Sequence, residues 1–226
     1  MTRAAFPVPG QSNQAYFFHG TKYAKVKYTA STSDDEIIYG PTEFAKEWKT
    51  LAQAGFSTVD AVLPVPGQAS EVYVFSGTRY VRIKFTPGTP DESIIAGPHD
   101  IAGYWPSLAS AGFQTVDAAF PVPGKEDEAY VFSGNQYAKI RYHAGKTDDV
   151  VTYGPKKFTE VWSTLNKAGF DTIDAALPVA GHSDQVYYFS GSQYVKVEFT
   201  PSSSTEKILY GPARVAEVWK SLAWGW

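Results

Sequence analysis

Three aspartates recur at a constant spacing of 57 residues, and an arginine stands where a fourth would fall. Asp60, Asp117 and Asp174 each open a segment that begins Asp-Ala, while Arg3 opens Arg-Ala-Ala-Phe. Oxygen donors at equivalent positions are what a hard cation such as calcium needs. The spacing therefore indicates a candidate cation site that repetition, and not one local motif, would assemble.

The same spacing marks an internal repeat that covers nearly the whole chain. The copies occupy 3–59, 60–116, 117–173 and 174–226 of the 226 residues, with no insertion between them. A solenoid would need atypical repeats at both ends, whereas these copies are nearly equivalent. We therefore predict a single domain over 1–226 that closes into a ring.

Each copy carries four short strand patterns. In the third copy, Ala118–Phe120 runs into Pro-Val-Pro-Gly, and Ala129–Phe132 leads into a glycine-containing turn that predicts a hairpin. Residues 81–85 of the second copy alternate apolar and polar side chains, as a half-buried strand does. Ile37–Tyr39 gives the fourth strand of the first copy.

A Gly-Pro pair follows the fourth strand in every copy and predicts a helix with proline in its first turn. Phe44, Trp48 and Leu51 have helical spacing, and Gly55 stands in the position of a C-terminal cap. Pro106 directly follows a tryptophan in the second copy, so we expect that helix to kink or break there.

Four strands and one short helix per copy predict an all-β fold with peripheral short helices. Closing four such units gives a four-bladed β-propeller with one blade per 57-residue repeat. No cysteine is available to join the last blade to the first. We expect the apolar tail, Leu222, Trp224 and Trp226, to close the ring by packing.

These residues resemble the hemopexin repeat family, in the single-domain form seen in plant albumin-2 proteins. The likeness rests on the Asp-Ala-Ala opening, a second strand ending in Phe-x-Gly, a third strand with Tyr-x-(Lys/Arg), and a proline-led helix with tryptophan. It covers the full chain, although Arg3 and Val62 depart from the opening pattern and Pro-Val-Pro-Gly is not part of it. The resemblance implies a hemopexin-like propeller, with haem and polyamines as ligand classes.

Ring closure would bring the opening strands together around one narrow tunnel. The predicted metal site consists of the backbone carbonyls of Arg3, Asp60, Asp117 and Asp174, with waters completing the shell that calcium prefers. A second ring of carbonyls, for another ion or water, falls at Ala5, Val62, Ala119 and Ala176. The resemblance implies the same calcium, with sodium or chloride as alternatives in the tunnel. In the competing interpretation, the aspartates only cap turns.

Two further residue sets recur in register. The basic set is Lys25, Arg82, Lys139 and Lys196, and the acidic turns contain Asp34, Asp91, Asp148 and Glu206. The basic set could form a ring for an anion, but we favour pairing with the acidic turns. The aromatic pairs are Tyr16/Phe18, Tyr73/Phe75, Tyr130/Phe132 and Tyr187/Phe189. They could form four sugar-stacking pockets, but we favour core between blades.

The histidines give no support for catalysis. His19, His99, His143 and His182 occupy unrelated repeat positions, so the repeat places no two of them together, either as catalytic groups or as axial haem ligands. We therefore predict that the protein is not an enzyme.

Composition bounds the partners. The formal net charge of −3 gives no electrostatic reason to expect nucleic acid. No apolar run approaches the roughly 20 residues that cross a bilayer, and the repeat leaves no room for a signal peptide, so we expect no membrane insertion. The absence of cysteine fits a reducing compartment, which favours a cytoplasmic location. A homodimer is left open.

Two functions from different classes remain. The first is a non-enzymatic binding protein with an axial cation and one small ligand, such as haem or a polyamine. The second is a multivalent recognition protein, a carbohydrate-binding lectin or a toxin-like component, in which equal repeats present several equal sites.

Overall fold

The computed structural model describes residues 3–201 and 205–226 of the chain. Within these ranges it contains four antiparallel four-stranded sheets, each a simple meander formed by one repeat. Blade 1 contains β1 (Arg3–Pro7), β2 (Gln14–His19), β3 (Lys22–Lys27) and β4 (Glu36–Glu43). Blade 2 contains β5 (Ala61–Val65), β6 (Gln68–Ser76), β7 (Arg79–Phe85) and β8 (Glu92–Asp100). Blade 3 contains β9 (Ala118–Pro121), β10 (Glu128–Ser133), β11 (Gln136–Arg141) and β12 (Val150–Lys157). Blade 4 contains β13 (Ala175–Pro178), β14 (Gln185–Ser190), β15 (Gln193–Phe199) and β16 (Glu206–Arg214).

The first strands of the four blades surround a common axis. β1 contacts β5 and β13, and β9 contacts β5 and β13, so the inner strands form a closed cycle. Alanines at the start of these strands, such as Ala4 and Ala118, are buried and let the strands approach closely. The predicted four-bladed β-propeller, with one blade per repeat and short peripheral helices, is confirmed.

The hydrophobic core lies between the blades rather than within them. Each of four buried clusters joins one blade to the next, and the fourth joins blade 4 to blade 1. Phe18, Phe75, Phe132 and Phe189, the second members of the recurring aromatic pairs, are at most 1% exposed. Loss of one such ring should cost about 3–5 kcal/mol of unfolding free energy.

The helix of each repeat breaks at its tryptophan, and not only in blade 2. The pairs are α1 (Phe44–Glu47) with α2 (Lys49–Gln53), α3 (Ile101–Tyr104) with α4 (Pro106–Ser110), and α5 (Phe158–Val161) with α6 (Ser163–Lys167); in blade 4, α7 (Val215–Val218) precedes the 3₁₀ turn Lys220–Leu222. Trp48 has φ −97° and ψ 78°, outside the helical region. Pro106 occupies the first position of α4, where its missing N–H costs nothing, so it accommodates the break instead of causing it.

The Gly-Pro pair lies inside the fourth strand, which corrects the prediction that it starts the helix. Gly40 and Pro41 belong to β4 and are joined by a cis peptide bond, and α1 begins only at Phe44. Gly40 has φ +83°, and a Cβ there would lie 2.7 Å from the carbonyl oxygen of Tyr23. Only glycine fits at this approach of β4 to β3.

The glycine caps are confirmed. Gly55 has φ +70°, and the N–H of Phe56 donates to the carbonyl of Leu51 at 3.0 Å, closing the helix end. Phe56 folds back into the core and is 4% exposed.

The C-terminal tail closes the ring, as predicted. Leu222 is fully buried in the cluster between blades 4 and 1, and Trp224 and Trp226 pack against that cluster. The Trp226 ring lies 5.8 Å from Phe17 of blade 1 and 5.8 Å from Phe189 of blade 4. The tail therefore joins blade 4 to blade 1 by packing, without a covalent bond.

A hydrogen bond to a carboxylate joins every blade to its neighbour; at three interfaces an N–H and a hydroxyl both donate, whereas the buried Ser221 hydroxyl has no partner in the described chain. The N–H and hydroxyl of Thr164 donate to the carboxylate of Glu206 at 3.1 and 2.7 Å. Matching contacts join Thr50 to Glu92, Ser107 to Asp149, and the N–H of Ser221 to Asp35 at 2.6 Å. We call these four contacts the inter-blade staples, and the last one closes the ring.

Helices in the described ranges are all short, and none has both the length and the apolar character needed to span a bilayer.

Candidate functional site

The opening aspartates bind a turn through their side chains. The Oδ2 atoms of Asp60, Asp117 and Asp174 accept the backbone N–H of Gly77, Gly134 and Gly191 at 2.6, 2.6 and 2.8 Å. Each glycine lies in the turn between the second and third strands of its own blade. The aspartates therefore do cap turns. This role occupies a side-chain oxygen of each aspartate and does not involve its main-chain carbonyl.

Negative charge is only partly compensated at this end of the tunnel. Arg3 donates from Nη1 to Oδ2 of Asp174 at 3.0 Å, and its guanidinium lies 5.4 Å from the centre of the Trp226 ring. Burial raises the pKa of Asp60 and of Asp117, and the carboxylates of Asp60 and Asp174 raise that of Asp117 further. The Oδ1 atom of Asp60 is buried and has no hydrogen-bond partner in the part of the chain that the structure describes. This buried excess of carboxylate oxygen is compatible with a nearby hard cation.

The second predicted ring lies on the free edges of the inner strands. The N–H of Val8 donates to Gln14, that of Val122 to Glu128 and that of Val179 to Gln185. In an antiparallel pair, alternate residues bond to the partner strand, so the positions between them direct N–H and C=O to the other edge. Those positions include Ala5, Val62, Ala119 and Ala176, whose side chains are buried. Because no sheet partner lies on that edge and the inner strands surround the axis, we expect their peptide groups to face it.

The opposite end of the tunnel widens into a cavity of about 1060 Å³. The Pro-Val-Pro-Gly turns of blades 1, 2 and 3 and the equivalent turn of blade 4 line it, so most of its wall is apolar. Its polar lining includes Lys125, Glu126 and the exposed His182. The prolines end strand pairing here and so open the tunnel into a funnel. We call this space the axial cavity.

The basic residues of the third strands do not pair with the acidic turns. Arg82 lies 2.6 Å from Glu71 and Lys139 lies 3.2 Å from Glu128, both on the second strand of the same blade. Lys196 donates to the hydroxyl of Ser31 at 2.5 Å. The predicted pairing is therefore wrong. The turn carboxylates serve local contacts instead: Asp34 binds Thr29 and Thr32, Asp148 binds His143, and Glu206 forms a staple.

The tyrosines of the recurring aromatic pairs have two roles. Tyr16, Tyr73, Tyr130 and Tyr187 are 3–6% exposed and belong to the core clusters, as predicted. Tyr16 also lines a cavity of about 510 Å³ between blades 1 and 2, and Tyr130 one of about 290 Å³ between blades 3 and 4. Two of the four blade interfaces thus combine core packing with a surface opening.

The structure places the four histidines at separate positions. His19 contacts the tail tryptophans, His99 stacks on Tyr104 with ring centres 4.0 Å apart, His143 bonds to Asp148, and His182 lies at the axial cavity. Across residues 3–201 and 205–226, no three His, Asp or Glu side chains converge to hold a metal. A cation site in this region would therefore depend on main-chain oxygens.

Sequence reasoning missed the inter-blade staples, although the signal was present. Thr50, Ser107, Thr164 and Ser221 recur at the repeat spacing, as do Asp35, Glu92, Asp149 and Glu206. Each set keeps one chemical character, hydroxyl or carboxylate. The missing information was which blade the carboxylate faces, because that depends on packing between repeats.

No family model matches the chain. Among curated proteins, it is 29% identical to albumin-2 of Pisum sativum over 214 residues, which cover 94% of this chain and 90% of the relative. The likeness extends over all four blades.

Solved structures give the same result for the fold. A hemopexin fold protein from cow pea has a TM-score of 0.86 and 28% identity, covering 98% of this chain and 96% of that one. A plant lectin with two metal binding sites from Cicer arietinum also has a TM-score of 0.86 and 28% identity, covering 99% and 97%. The propeller is therefore hemopexin-like.

Proposed function

We propose that the chain is a non-enzymatic binding protein that holds a cation on the propeller axis and one small ligand in the axial cavity. The observation that carries this proposal is convergence: the inner strands of all four repeats pack around one axis, and the turns that follow them line one cavity. No other region of the described chain draws on all four blades.

The donor set on the axis fits calcium. The carbonyls of Arg3, Asp60, Asp117 and Asp174 would supply four oxygens, and waters would complete the shell. The side chain of Arg3 is held by the Asp174 carboxylate and the Trp226 ring, so its charge is paired by a carboxylate. The carbonyls of Ala5, Val62, Ala119 and Ala176 offer a second position for water or sodium, and the N–H groups of the same residues could instead donate to chloride.

The axial cavity favours an apolar planar ligand such as haem over a polyamine. A polyamine needs unpaired carboxylates, but Glu71 is bound by Arg82 at 2.6 Å, which leaves Glu126 among the lining carboxylates. Apolar residues, among them prolines and valines from the turns, form most of the remaining wall. His182 at the rim offers one axial nitrogen to a haem iron.

Titration with hemin tests this ligand assignment. We expect saturable binding of one hemin per chain with a shifted Soret band, weakened in His182→Ala and retained in His143→Ala, whose histidine lies elsewhere. Spermine should bind more weakly by calorimetry. Equal hemin binding by both variants would contradict the role of His182, and absence of binding would contradict the cavity as a haem site.

A second candidate function is multivalent glycan recognition. The specific observation is likeness to a solved plant lectin over 99% of this chain. Repeated blades could present more than one weak site, and several weak sites add up through avidity. A glycan array supports this candidate if the intact protein binds defined sugars with more than one site per chain.

A further inference from the structure

The four interfaces between blades differ in how much of their aromatic wall is covered. Between blades 2 and 3, the loop after β11 folds inward, and the N–H of Gly145 donates to the Tyr73 hydroxyl at 3.0 Å. Between blades 4 and 1, the loop after β3 does the same, and the N–H of Ser31 donates to the Tyr187 hydroxyl at 3.2 Å. These loops cover two of the four interfaces.

Between blades 1 and 2 the equivalent loop, residues 86–91, does not cover the aromatic wall in this way. The β7–β8 ladder has one residue pair more than β3–β4, because Phe85 still pairs with Glu92. Among the described residues, no hydrogen bond joins this loop to Tyr16. The cavity of about 510 Å³ that remains is in the size range of small-molecule sites. We call it groove 1/2.

Groove 1/2 has an aromatic wall and an exposed platform. Tyr23 and Trp48 are buried in the wall, whereas Tyr39 on the rim is 44% exposed. Interaction with the Glu47 carboxylate raises the pKa of the Tyr39 phenol, and the Tyr39 ring packs against Tyr23 with ring centres 5.9 Å apart. The platform therefore offers a fixed face on which a ring can pack.

Groove 1/2 also contains a cation without a partner. Lys25 lies opposite Tyr16, and Gln14 stands at the repeat position from which Glu71 and Glu128 bind Arg82 and Lys139 in the other blades. Within the described chain, Lys25 makes no ion pair or side-chain hydrogen bond, and burial lowers its pKa. Lys196 also lacks a glutamate, but the hydroxyl of Ser31 and the ring of Tyr187 satisfy it.

The rest of the groove adds positive charge and hydrogen-bonding groups. Lys46 and Lys49 lie on its rim beside Glu47, so lysines outnumber carboxylates there, and the other lining carboxylate, Glu92, is already bound by Thr50. Thr86 supplies a hydroxyl group on the blade 2 side, whereas the hydroxyl of Thr89 is used within its own turn. A ligand that complements this surface has a ring, hydroxyl groups and a negative charge.

We propose that groove 1/2 binds an acidic saccharide, whose carboxylate pairs with Lys25 while its ring packs on Tyr39. The site is separate from the axial cavity. It rests on the second candidate function only in taking a sugar as its ligand.

A matched pair of ligands tests whether groove 1/2 recognises the negative charge of the saccharide. Methyl glucuronide and methyl glucoside differ only in having a carboxylate or a hydroxymethyl group on the same ring, and NMR titration of the intact protein measures both. We expect the glucuronide to bind at least about tenfold more tightly, as a charge-assisted hydrogen bond allows. Equal affinities, or binding of benzoate as tight as that of the glucuronide, would overturn the assignment.

Two matched substitutions locate the site. Lys25→Gln should reduce glucuronide affinity about tenfold or more, whereas Lys139→Gln, at the equivalent position of blade 3, should leave it unchanged. Tyr39→Ala should weaken binding, whereas Tyr210→Ala, an equally exposed tyrosine of blade 4, should not. If an array detects glycans but both groove variants bind normally, the lectin function stands and groove 1/2 is excluded. If no glycan binds, both fail.

Discussion

At the scale of the residue, one substitution in the second strand decides what the third-strand cation does. Glu71 and Glu128 bind Arg82 and Lys139, so those cations are neutralised within the blade. Gln14 takes the same place in blade 1 and cannot neutralise Lys25. The repeat spacing identified the cations from the sequence, but it could not identify their partners, because cross-strand neighbours depend on register.

Gly40 is a residue whose side chain must be absent. Gly40→Ala would place a Cβ 2.7 Å from the carbonyl oxygen of Tyr23 at a φ of +83°. Gly88→Ala has a similar φ of +80° but no atom within 4 Å, so it is the control for backbone strain alone. We expect Gly88→Ala to cost about 1 kcal/mol and Gly40→Ala clearly more, measured by urea unfolding. Equal losses would show that the close contact has no energetic weight.

His19 should make ring closure sensitive to acid. Burial, and then the charge of Arg3, lower its pKa below 6.5, so the folded state favours the neutral ring. The unfolded chain takes up a proton first as the pH falls, and stability should therefore decrease from about pH 6.5 down through the lowered folded pKa. His19→Gln should remove this part of the pH dependence of the melting temperature. The exposed control His182→Gln should keep it, and an unchanged profile in His19→Gln would contradict the assignment.

At the scale of the element, the donors of the inter-blade staples lie on the second turn of each broken helix. Each helix breaks at its tryptophan, and the second turn presents an N–H to the next blade, accompanied in blades 1 to 3 by a hydroxyl. This explains why the break occurs in every blade and not only beside Pro106. Helical periodicity predicted the buried face correctly, but the break was hidden because its cause lies in the neighbouring repeat.

Removing one staple should weaken one interface. Thr164→Ala deletes the 2.7 Å bond to the Glu206 carboxylate and should cost about 1–2 kcal/mol of unfolding free energy. Ser163→Ala, an exposed neighbour on the same turn, is the control. Chemical denaturation that cannot separate the two variants would rule out a stabilising role for the staple hydroxyl.

Deleting Trp224–Trp226 tests ring closure directly. The deletion removes the aromatic contacts of Trp226 with Phe17 and Phe189 and exposes the cluster between blades 4 and 1. We expect the melting temperature to fall by several degrees, given about 4 kcal/mol for a buried tryptophan. A melting curve identical to that of the full chain would mean that the tail does not contribute to closure.

At the scale of the whole molecule, the repeat determined most of what the sequence could predict. The constant spacing of 57 residues was enough to predict the number of blades and the strand order within each blade. The differences between the four blade interfaces could not be predicted. Which interfaces stay open depends on whether a loop folds inward, as at Ser31 and Gly145, and the sequence pattern records the loops but not their direction.

The axial cation is the central claim, and native mass spectrometry of the intact protein tests it most directly. The donor set predicts one tightly bound divalent cation per chain, removed by exhaustive EDTA treatment and restored by calcium, with stability following occupancy by mass action. A spectrum that shows only the bare chain, before and after calcium is added, would contradict the axial site.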